Sequence, residues 1–75
     1  MNAADFIALE SDFGAHNYHP MPVVLDKGKG IYLWDVDGKR YMDFLSAYSA
    51  VNQGHCHPRL VETMVNQAQK LTLSS

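Results

Sequence analysis

The densest group of potentially reactive side chains is His55-Cys56-His57, with His16 and His19 upstream of it. Imidazole and thiolate groups bind zinc, and a thiolate beside an imidazole also serves in covalent catalysis. Three adjacent residues lack the spaced ligand pairs of a structural zinc site, and no third group is evident that would orient a Cys–His pair. The structural alternative is that the imidazoles bond to loop carbonyls and cap the helix that begins at Pro58, with Cys56 as a small buried side chain.

Two tyrosines in polar loops, Tyr18 and Tyr48, are the remaining candidates for a site. A phenol can stack on the aliphatic chain of a substrate and donate a hydrogen bond to a carboxylate. The residues by themselves leave open whether each tyrosine binds a ligand or packs against protein.

The glycine-rich run Lys27-Gly28-Lys29-Gly30 does not fit a phosphate-binding loop. It precedes a predicted strand rather than a helix, so no helix N-terminus is available to an anion. We interpret residues 26–30 as a turn between strands.

The N-terminal third combines a helix and an extended connector. Asn2 can cap a helix with Asp5 three residues later, and Gly14 is a plausible end, so we predict a helix within residues 1–14. Residues 15–22 contain two prolines, which exclude a helix or a central strand and predict an extended loop.

Residues 23–45 predict a three-stranded antiparallel meander. A first strand at Val23–Leu25 is followed by a hairpin of residues 31–36 and 40–45, because Asp37-Gly38 suits a two-residue type I′ turn. In that register Trp34 lies beside Tyr41 and Asp35 beside Arg40. The predicted apolar face of the hairpin consists of Ile31, Leu33, Met42 and Phe44.

The last third is a polar loop at 46–57 and an amphipathic helix at 58–71. Pro58 suits the first helical position. The predicted apolar stripe consists of Leu60, Val61, Met64, Val65, Ala68 and Leu71. The predicted fold is therefore an α+β segment.

Composition excludes several functional classes. The chain has 75 residues, 47% of them hydrophobic, and a net charge of −2 with scattered Lys and Arg, which argues against nucleic-acid and membrane-surface binding. A single cysteine excludes an internal disulfide and fits a reducing compartment. Because no secretory or transit signal is visible, we expect a cytoplasmic location. A chain this short rarely buries a sufficient core, so we expect it to pack against further protein.

Two runs carry a resemblance to a known family: Phe13 to Val24 (FGAHNYHPMPVV) and Phe44 to Pro58 (FLSAYSAVNQGHCHP). They are similar to the N-terminal part of the ornithine aminotransferases, a branch of the class III aminotransferases. The run from Gly30 to Gly38 and the GHCHP motif resemble the whole class. The resemblance implies a segment of a fold-type I, pyridoxal 5'-phosphate-dependent homodimer that transfers the δ-amino group of ornithine to 2-oxoglutarate.

By the same resemblance, Tyr18 contacts the α-amino and carboxylate end of ornithine, and Tyr48 helps to select the orientation of the substrate. The cofactor's lysine and aspartate belong to a large domain absent from this chain, so no residue here is expected to be catalytic, cofactor-binding or metal-binding, and the chain alone is expected to be inactive. The alternatives are another class III ω-amino acid aminotransferase, a free-standing interaction module, and a zinc domain using His55, Cys56 and His57.

Overall fold

A computed structural model describes residues 1–74 and confirms the α+β arrangement, with the three strands in the spatial order β1-β2-β3 of an antiparallel sheet. The elements are α1 (Ala3–Phe13), β1 (Leu25–Lys29), β2 (Tyr32–Asp35), β3 (Arg40–Met42), α2 (Ser46–Ser49) and α3 (Pro58–Ala68).

Helix α1 begins with the predicted capping box. The Asn2 side chain accepts from the Asp5 backbone N–H at 3.0 Å, and the Asp5 carboxylate accepts from the Asn2 backbone N–H at 3.0 Å. The helix ends before Gly14, whose N–H donates to the Glu10 carbonyl at 2.7 Å. A Cβ at Gly14 would stand 2.7 Å from that carbonyl oxygen, so this end requires glycine for space rather than for a left-handed backbone.

The β2–β3 hairpin has a register one residue away from the predicted one. Its pairs are Tyr32 with Met42, Leu33 with Tyr41 and Trp34 with Arg40. The loop has three residues rather than two, because Asp35 pairs with Lys39 through a backbone bond of 3.0 Å. The predicted type I′ turn at Asp37-Gly38 is therefore wrong.

The side chain of Asp35 explains the longer loop. Its Oδ1 accepts the backbone N–H groups of Asp37 at 3.0 Å and Lys39 at 2.9 Å, which satisfies two loop donors at once. Gly38 takes φ +90° at the last loop position, where a three-residue hairpin needs a left-handed residue.

A shift of one residue moves every side chain of one strand to the opposite face. Trp34 lies opposite Arg40, not Tyr41, and the predicted Asp35–Arg40 pair is replaced by a Tyr41 hydroxyl that donates to Asp35 Oδ2 at 2.8 Å. The Arg40 guanidinium instead lies 4.6 Å from the centroid of the Tyr32 ring. The predicted apolar face also fails, because Met42 is paired with Tyr32 while Leu33 is paired with Tyr41.

Strand β1 occupies the residues predicted as a turn. Leu25–Lys29 pairs with β2 around a bulge at Asp26, whereas Val23 and Val24, predicted as strand, precede it. The β1–β2 connection is only Gly30-Ile31, with Gly30 at φ +59°, as a two-residue type II′ hairpin requires at its first position.

Helix α3 begins at Pro58, as predicted, and is capped by His57, whose Nδ1 accepts the Arg59 backbone N–H at 3.2 Å. The helix ends at Ala68 rather than at residue 71, so Leu71 lies outside it. Its apolar stripe faces solvent: Leu60 is 53% exposed and Met64 70% exposed.

Residues 1–74 enclose no buried hydrophobic side chain. The accessible surface is 6782 Å², against about 4600 Å² for an average folded monomer of 8.4 kDa. The radius of gyration is 15.2 Å, against roughly 11 Å for a compact chain of this length. The sheet and helices are therefore layers that lack a covering partner. Within the same residues, no helix has the length and apolarity needed to cross a membrane.

Candidate functional site

Tyr48 lies in a turn of left-handed helix inside the segment predicted as loop 46–57. Ser46, Ala47, Tyr48 and Ser49 have φ values of +51°, +51°, +57° and +70°. Each L-residue in this region costs roughly 1–2 kcal/mol relative to a right-handed backbone, because its Cβ approaches the following carbonyl. The side chain of Tyr48 is 85% exposed and makes little contact with the described residues. The left-handed backbone at Tyr48 is therefore imposed by the residues on either side of it.

The Asp43 carboxylate bonds both to Ser46, where this turn begins, and to His55, near the end of the loop. Its Oδ1 accepts the Ser46 backbone N–H at 2.8 Å, and His55 Nε2 lies 2.7 Å from its Oδ2. The Ser46 N–H first, and His55 second, lower the pKa of the Asp43 carboxyl. A carboxylate accepts only, so Nε2 carries the proton and donates.

His55 is placed by the backbone of the β1–β2 turn. It forms an isolated antiparallel bridge with Gly30, in which the His55 N–H donates to the Gly30 carbonyl at 2.8 Å and the Gly30 N–H to the His55 carbonyl at 3.1 Å. A Cβ at Gly28 would stand 2.7 Å from the His55 Cβ, so the histidine lies over β1 only because position 28 has no side chain.

Gly54 allows the loop to approach the sheet closely. It has φ +83°, and a Cβ there would stand 3.1 Å from the Gly30 Cα. The segment 43–55 thus returns to the sheet at a contact between two glycine backbones. His55 and Asp43 are the side chains that close the contact, and they are 20% and 15% exposed.

Tyr18 occupies a different part of the molecule. It is 88% exposed in the extended connector, which forms an open groove with α1. His16 Nε2 donates to the Ser11 carbonyl at 2.8 Å and ties the connector to the end of that helix. Tyr18 lines this groove and Tyr48 does not, so the described residues do not place the two predicted substrate tyrosines in one pocket.

A second cluster of hydrogen bonds surrounds the Asp35 carboxylate, at the opposite end of the hairpin from Asp43. The pKa of Asp35 is lowered first by the Lys39 backbone N–H, and further by the Tyr41 hydroxyl and the Asp37 N–H. The hydrogen bond to Asp35 raises the pKa of the Tyr41 phenol. Because these bonds all act on the loop and its flanking residues, this cluster has a structural role in the hairpin.

The three residues named in the zinc alternative have other roles in the structure. The His55 imidazole bonds Asp43, the His57 imidazole caps α3, and Cys56 is exposed with φ +53°. In the part of the chain that the structure describes, no group of three His, Cys, Asp or Glu side chains is arranged to hold a metal ion. The interpretation of His57 as a helix cap is confirmed, whereas that of Cys56 as a buried residue is wrong.

The described residues also do not fit pyridoxal phosphate, which needs a lysine for its aldehyde, a carboxylate for its ring nitrogen and an anion site. Lys27 and Lys29 lie on β1, Lys39 is exposed directly after the hairpin loop with its Nζ 5.2 Å from the Tyr41 ring centroid, and Lys70 is exposed after α3. Asp35 and Asp43 are occupied by loop donors.

Sequence reasoning missed the pairing of Asp43 with His55 and the role of Gly28. Local patterns assign Asp43 to a strand and Gly28 to a turn, and twelve residues separate Asp43 from His55 along the chain. The available signal was a pair of glycines two residues apart beside a strand, which often marks a close approach by another segment.

The chain is similar to known proteins over most of its length. Residues 13–75 match the family described as aminotransferase class III. The mitochondrial ornithine aminotransferase of Rattus norvegicus is 67% identical over 66 residues, which are 88% of this chain and 15% of that protein. The ornithine aminotransferase of Saccharomyces cerevisiae is 57% identical over 75 residues, which are 100% of this chain and 18% of that protein.

Solved structures give the same result. An acetylornithine aminotransferase from Elizabethkingia anophelis superposes with a TM-score of 0.93 at 65% identity, over 100% of this chain and 20% of that one. Plasmodium falciparum ornithine δ-aminotransferase superposes with a TM-score of 0.92 at 55% identity, over 100% of this chain and 19% of that one. The chain spans less than a fifth of the length of the rat and yeast relatives.

Proposed function

Because the chain belongs to the class III aminotransferase family, we propose that it acts as the N-terminal segment of an ornithine aminotransferase. The observation that carries the proposal is an identity of 57–67% to ornithine aminotransferases of rat and yeast over 88–100% of the chain. The complete enzyme would transfer the δ-amino group of ornithine to 2-oxoglutarate, giving glutamate semialdehyde and glutamate. When bound in the remainder of the enzyme, pyridoxal phosphate would supply the electron sink for this transfer.

This segment contributes recognition rather than the chemical step. Ornithine has two amines, so an enzyme that uses the δ-amine must hold the α-amino and carboxylate end away from the reacting position. We assign Tyr18 to that end and Tyr48 to the wall that orients the substrate. Their exposure of 88% and 85% leaves both phenols free to meet a substrate held by the remainder of the enzyme.

The same segment would contribute to assembly. The uncovered faces of α1, α3 and the sheet match a role in contacts with the large domain and with a second subunit of a homodimer. A cytoplasmic location stays a prediction, and the name of the rat relative places that protein in mitochondria. Cell fractionation with an antibody to this segment would decide between the two compartments.

Replacing Tyr48 tests the assignment in the complete enzyme. We expect Tyr48→Ile to lower the ratio of kcat/KM for ornithine to that for γ-aminobutyrate, which lacks the α-amino group, by about tenfold, because the pocket wall loses its ring and hydroxyl. Tyr48→Phe is the matched control that keeps the ring. An unchanged ratio in Tyr48→Ile would remove this residue from the site.

A second candidate is transfer from N-acetylornithine, which the name of the Elizabethkingia anophelis relative favours. In that substrate the α-amine is acylated and cannot react, so selection between two amines is unnecessary. Comparing kcat/KM for ornithine and N-acetylornithine in the unmodified enzyme separates the two functions. A clear preference for N-acetylornithine would replace the first proposal.

A further inference from the structure

One carboxylate joins the two ends of the segment that carries Tyr48. Asp43 Oδ1 accepts from the Ser46 backbone at 2.8 Å, where the left-handed turn begins. Asp43 Oδ2 accepts from His55 Nε2 at 2.7 Å, where the segment rejoins the sheet. The Ser46 hydroxyl adds a bond of 3.4 Å to the Asp43 carbonyl.

The position of His55 is determined independently of Asp43. Its backbone pairs with Gly30 in both directions, at 2.8 and 3.1 Å, and its Cβ occupies the space left by Gly28. The imidazole is therefore attached to a backbone position that the β1–β2 connection holds on both sides. This matters because a residue can position another only if it is itself held in place.

The turn between these two ends depends on such support. Four consecutive non-glycine residues at positive φ are unfavourable, and they persist only where the surrounding structure determines them. Backbone bonds of 3.0 Å from Ser49 to Leu45 and from Val51 to Ser46 close the turn locally. The Tyr48 side chain is 85% exposed, so within residues 1–74 its own packing does little to hold the turn.

We propose that His55 is a positioning residue for Tyr48: its hydrogen bond to Asp43 holds the left-handed turn closed and so places the phenol for substrate selection. This inference rests on the proposed function, in which Tyr48 orients the substrate. His55 does not touch the substrate and acts only through the turn. The role explains why Gly28, His55 and Asp43 meet although none of them is adjacent to another in the sequence.

Two amide variants in the complete enzyme test the role of His55. The Nε2 of glutamine can replace the imidazole Nε2 as the donor to Asp43, whereas the asparagine side chain is one methylene shorter. We expect His55→Asn to lower the ratio of kcat/KM for ornithine to that for γ-aminobutyrate by about tenfold, as displacement of an orienting group does. In His55→Gln, which keeps the donor, we expect the ratio to stay within about twofold of that of the unmodified enzyme.

The ratio distinguishes positioning from a general structural role. If His55 only stabilised the fold, His55→Asn would reduce activity with both donors equally, because fewer molecules would be folded, and the ratio would not change. An unchanged ratio in His55→Asn, or an equally low ratio in His55→Gln, would overturn the proposal. Bound cofactor and circular dichroism are measured in each variant as controls of folding.

A double variant separates this inference from the proposed function. If His55 acts through Tyr48, adding His55→Asn to Tyr48→Ile changes the ratio no further, whereas independent roles would multiply the two effects. If Tyr48→Ile alone leaves the ratio unchanged, the role that the proposed function assigns to Tyr48 fails and the inference falls with it. If Tyr48→Ile changes the ratio but His55→Asn does not, only the inference fails.

A third variant covers the case in which His55→Asn does not fold. Gly28→Ala places a methyl group 2.7 Å from the His55 Cβ and so displaces the imidazole without altering it. We expect the same fall in the ratio. A normal ratio in Gly28→Ala would contradict the proposed role.

Discussion

Asp35 and Asp43 use their carboxylates in the same way, although they lie at opposite ends of the hairpin. Each accepts backbone N–H groups of the residues that follow it, and each takes one further donor from a distant side chain, Tyr41 or His55. Hydrogen bonds to the charged form lower the pKa of both carboxyls. These aspartates therefore fix loop geometry and are not free acids or bases.

The lowered pKa of Asp35 predicts how the hairpin responds to pH. Because the pKa is lower in the folded than in the unfolded chain, the ionised carboxyl stabilises the hairpin above about pH 3.9, and this stabilisation is lost as the pH falls through the lowered value. We expect the Asp35 carboxyl group, followed through its carboxyl carbon by NMR in the enzyme, to reach half-ionisation below pH 3.8, the ordinary value for an aspartate.

Tyr41→Phe is the control for this titration, because it removes one donor and leaves the ring. We expect the pKa of Asp35 to rise in this variant while remaining below the ordinary value, since the Lys39 and Asp37 N–H groups still bond the carboxylate. A titration of Asp35 that is the same in both proteins would show that the Tyr41 hydroxyl does not contribute.

Tyr18 provides a prediction about substrate binding. We expect Tyr18→Phe to weaken kcat/KM for ornithine by about 1–2 kcal/mol, roughly 5- to 30-fold, which is the scale of one lost substrate hydrogen bond. Steady-state kinetics of the enzyme check this value, with γ-aminobutyrate as the comparison, because it lacks the α-amino group that Tyr18 is assigned to contact. Kinetics equal to those of the unmodified enzyme would exclude Tyr18 from the site.

At the level of elements, the hairpin shows how one side chain changes a register. Asp-Gly between two apolar runs favours a two-residue turn, but the Asp35 carboxylate satisfies two N–H groups of a three-residue loop. The loop then needs only one left-handed residue, Gly38, instead of two. The register of both strands follows from that choice.

Substitutions at Gly38 test this explanation of the register. Space is not limiting, because no atom lies within 4 Å of the position that a Cβ would occupy, so the cost of a side chain at φ +90° is conformational. We expect Gly38→Ala to destabilise the folded protein by about 1–2 kcal/mol, Gly38→Asn by less and Gly38→Val by more. Urea unfolding of the enzyme measures the order, and equal effects of Asn and Val would contradict it.

For the whole molecule, the main feature is apolar surface without a cover. Phe13, Phe44 and Leu73 are 84–89% exposed, and α1 and α3 do not pack extensively on the sheet. Exposed apolar surface of this extent indicates an interface with further protein. The large domain and the second subunit of the proposed enzyme are the partners that would cover it.

The absence of a core within residues 1–74 predicts how the chain behaves as a separate polypeptide. Without buried apolar surface, little opposes the conformational entropy of the chain. We expect a broad, non-cooperative thermal transition by circular dichroism and binding of a hydrophobic dye. A sharp two-state transition of a monomer would instead support the alternative of a free-standing interaction module.

The sequence alone determined the features that depend on neighbouring residues. The Asn2 capping box, the start of α3 at Pro58, the order of α1, the three strands and α3, and the family all follow from local patterns, because the groups that interact are within four residues of one another or belong to contiguous motifs. Gly14 as the end of α1 belongs to the same class, since the carbonyl that requires it lies four residues away.

The tertiary structure decided the features that depend on residues far apart in the chain. Gly28 is required in its strand because His55 lies over it and leaves no room for a Cβ, and Asp43 closes a loop because the same histidine reaches it across twelve residues. The left-handed turn at Tyr48 exists only between these fixed ends. No local propensity predicts such a turn, because each of its residues favours another backbone conformation and only the closed loop outweighs that preference.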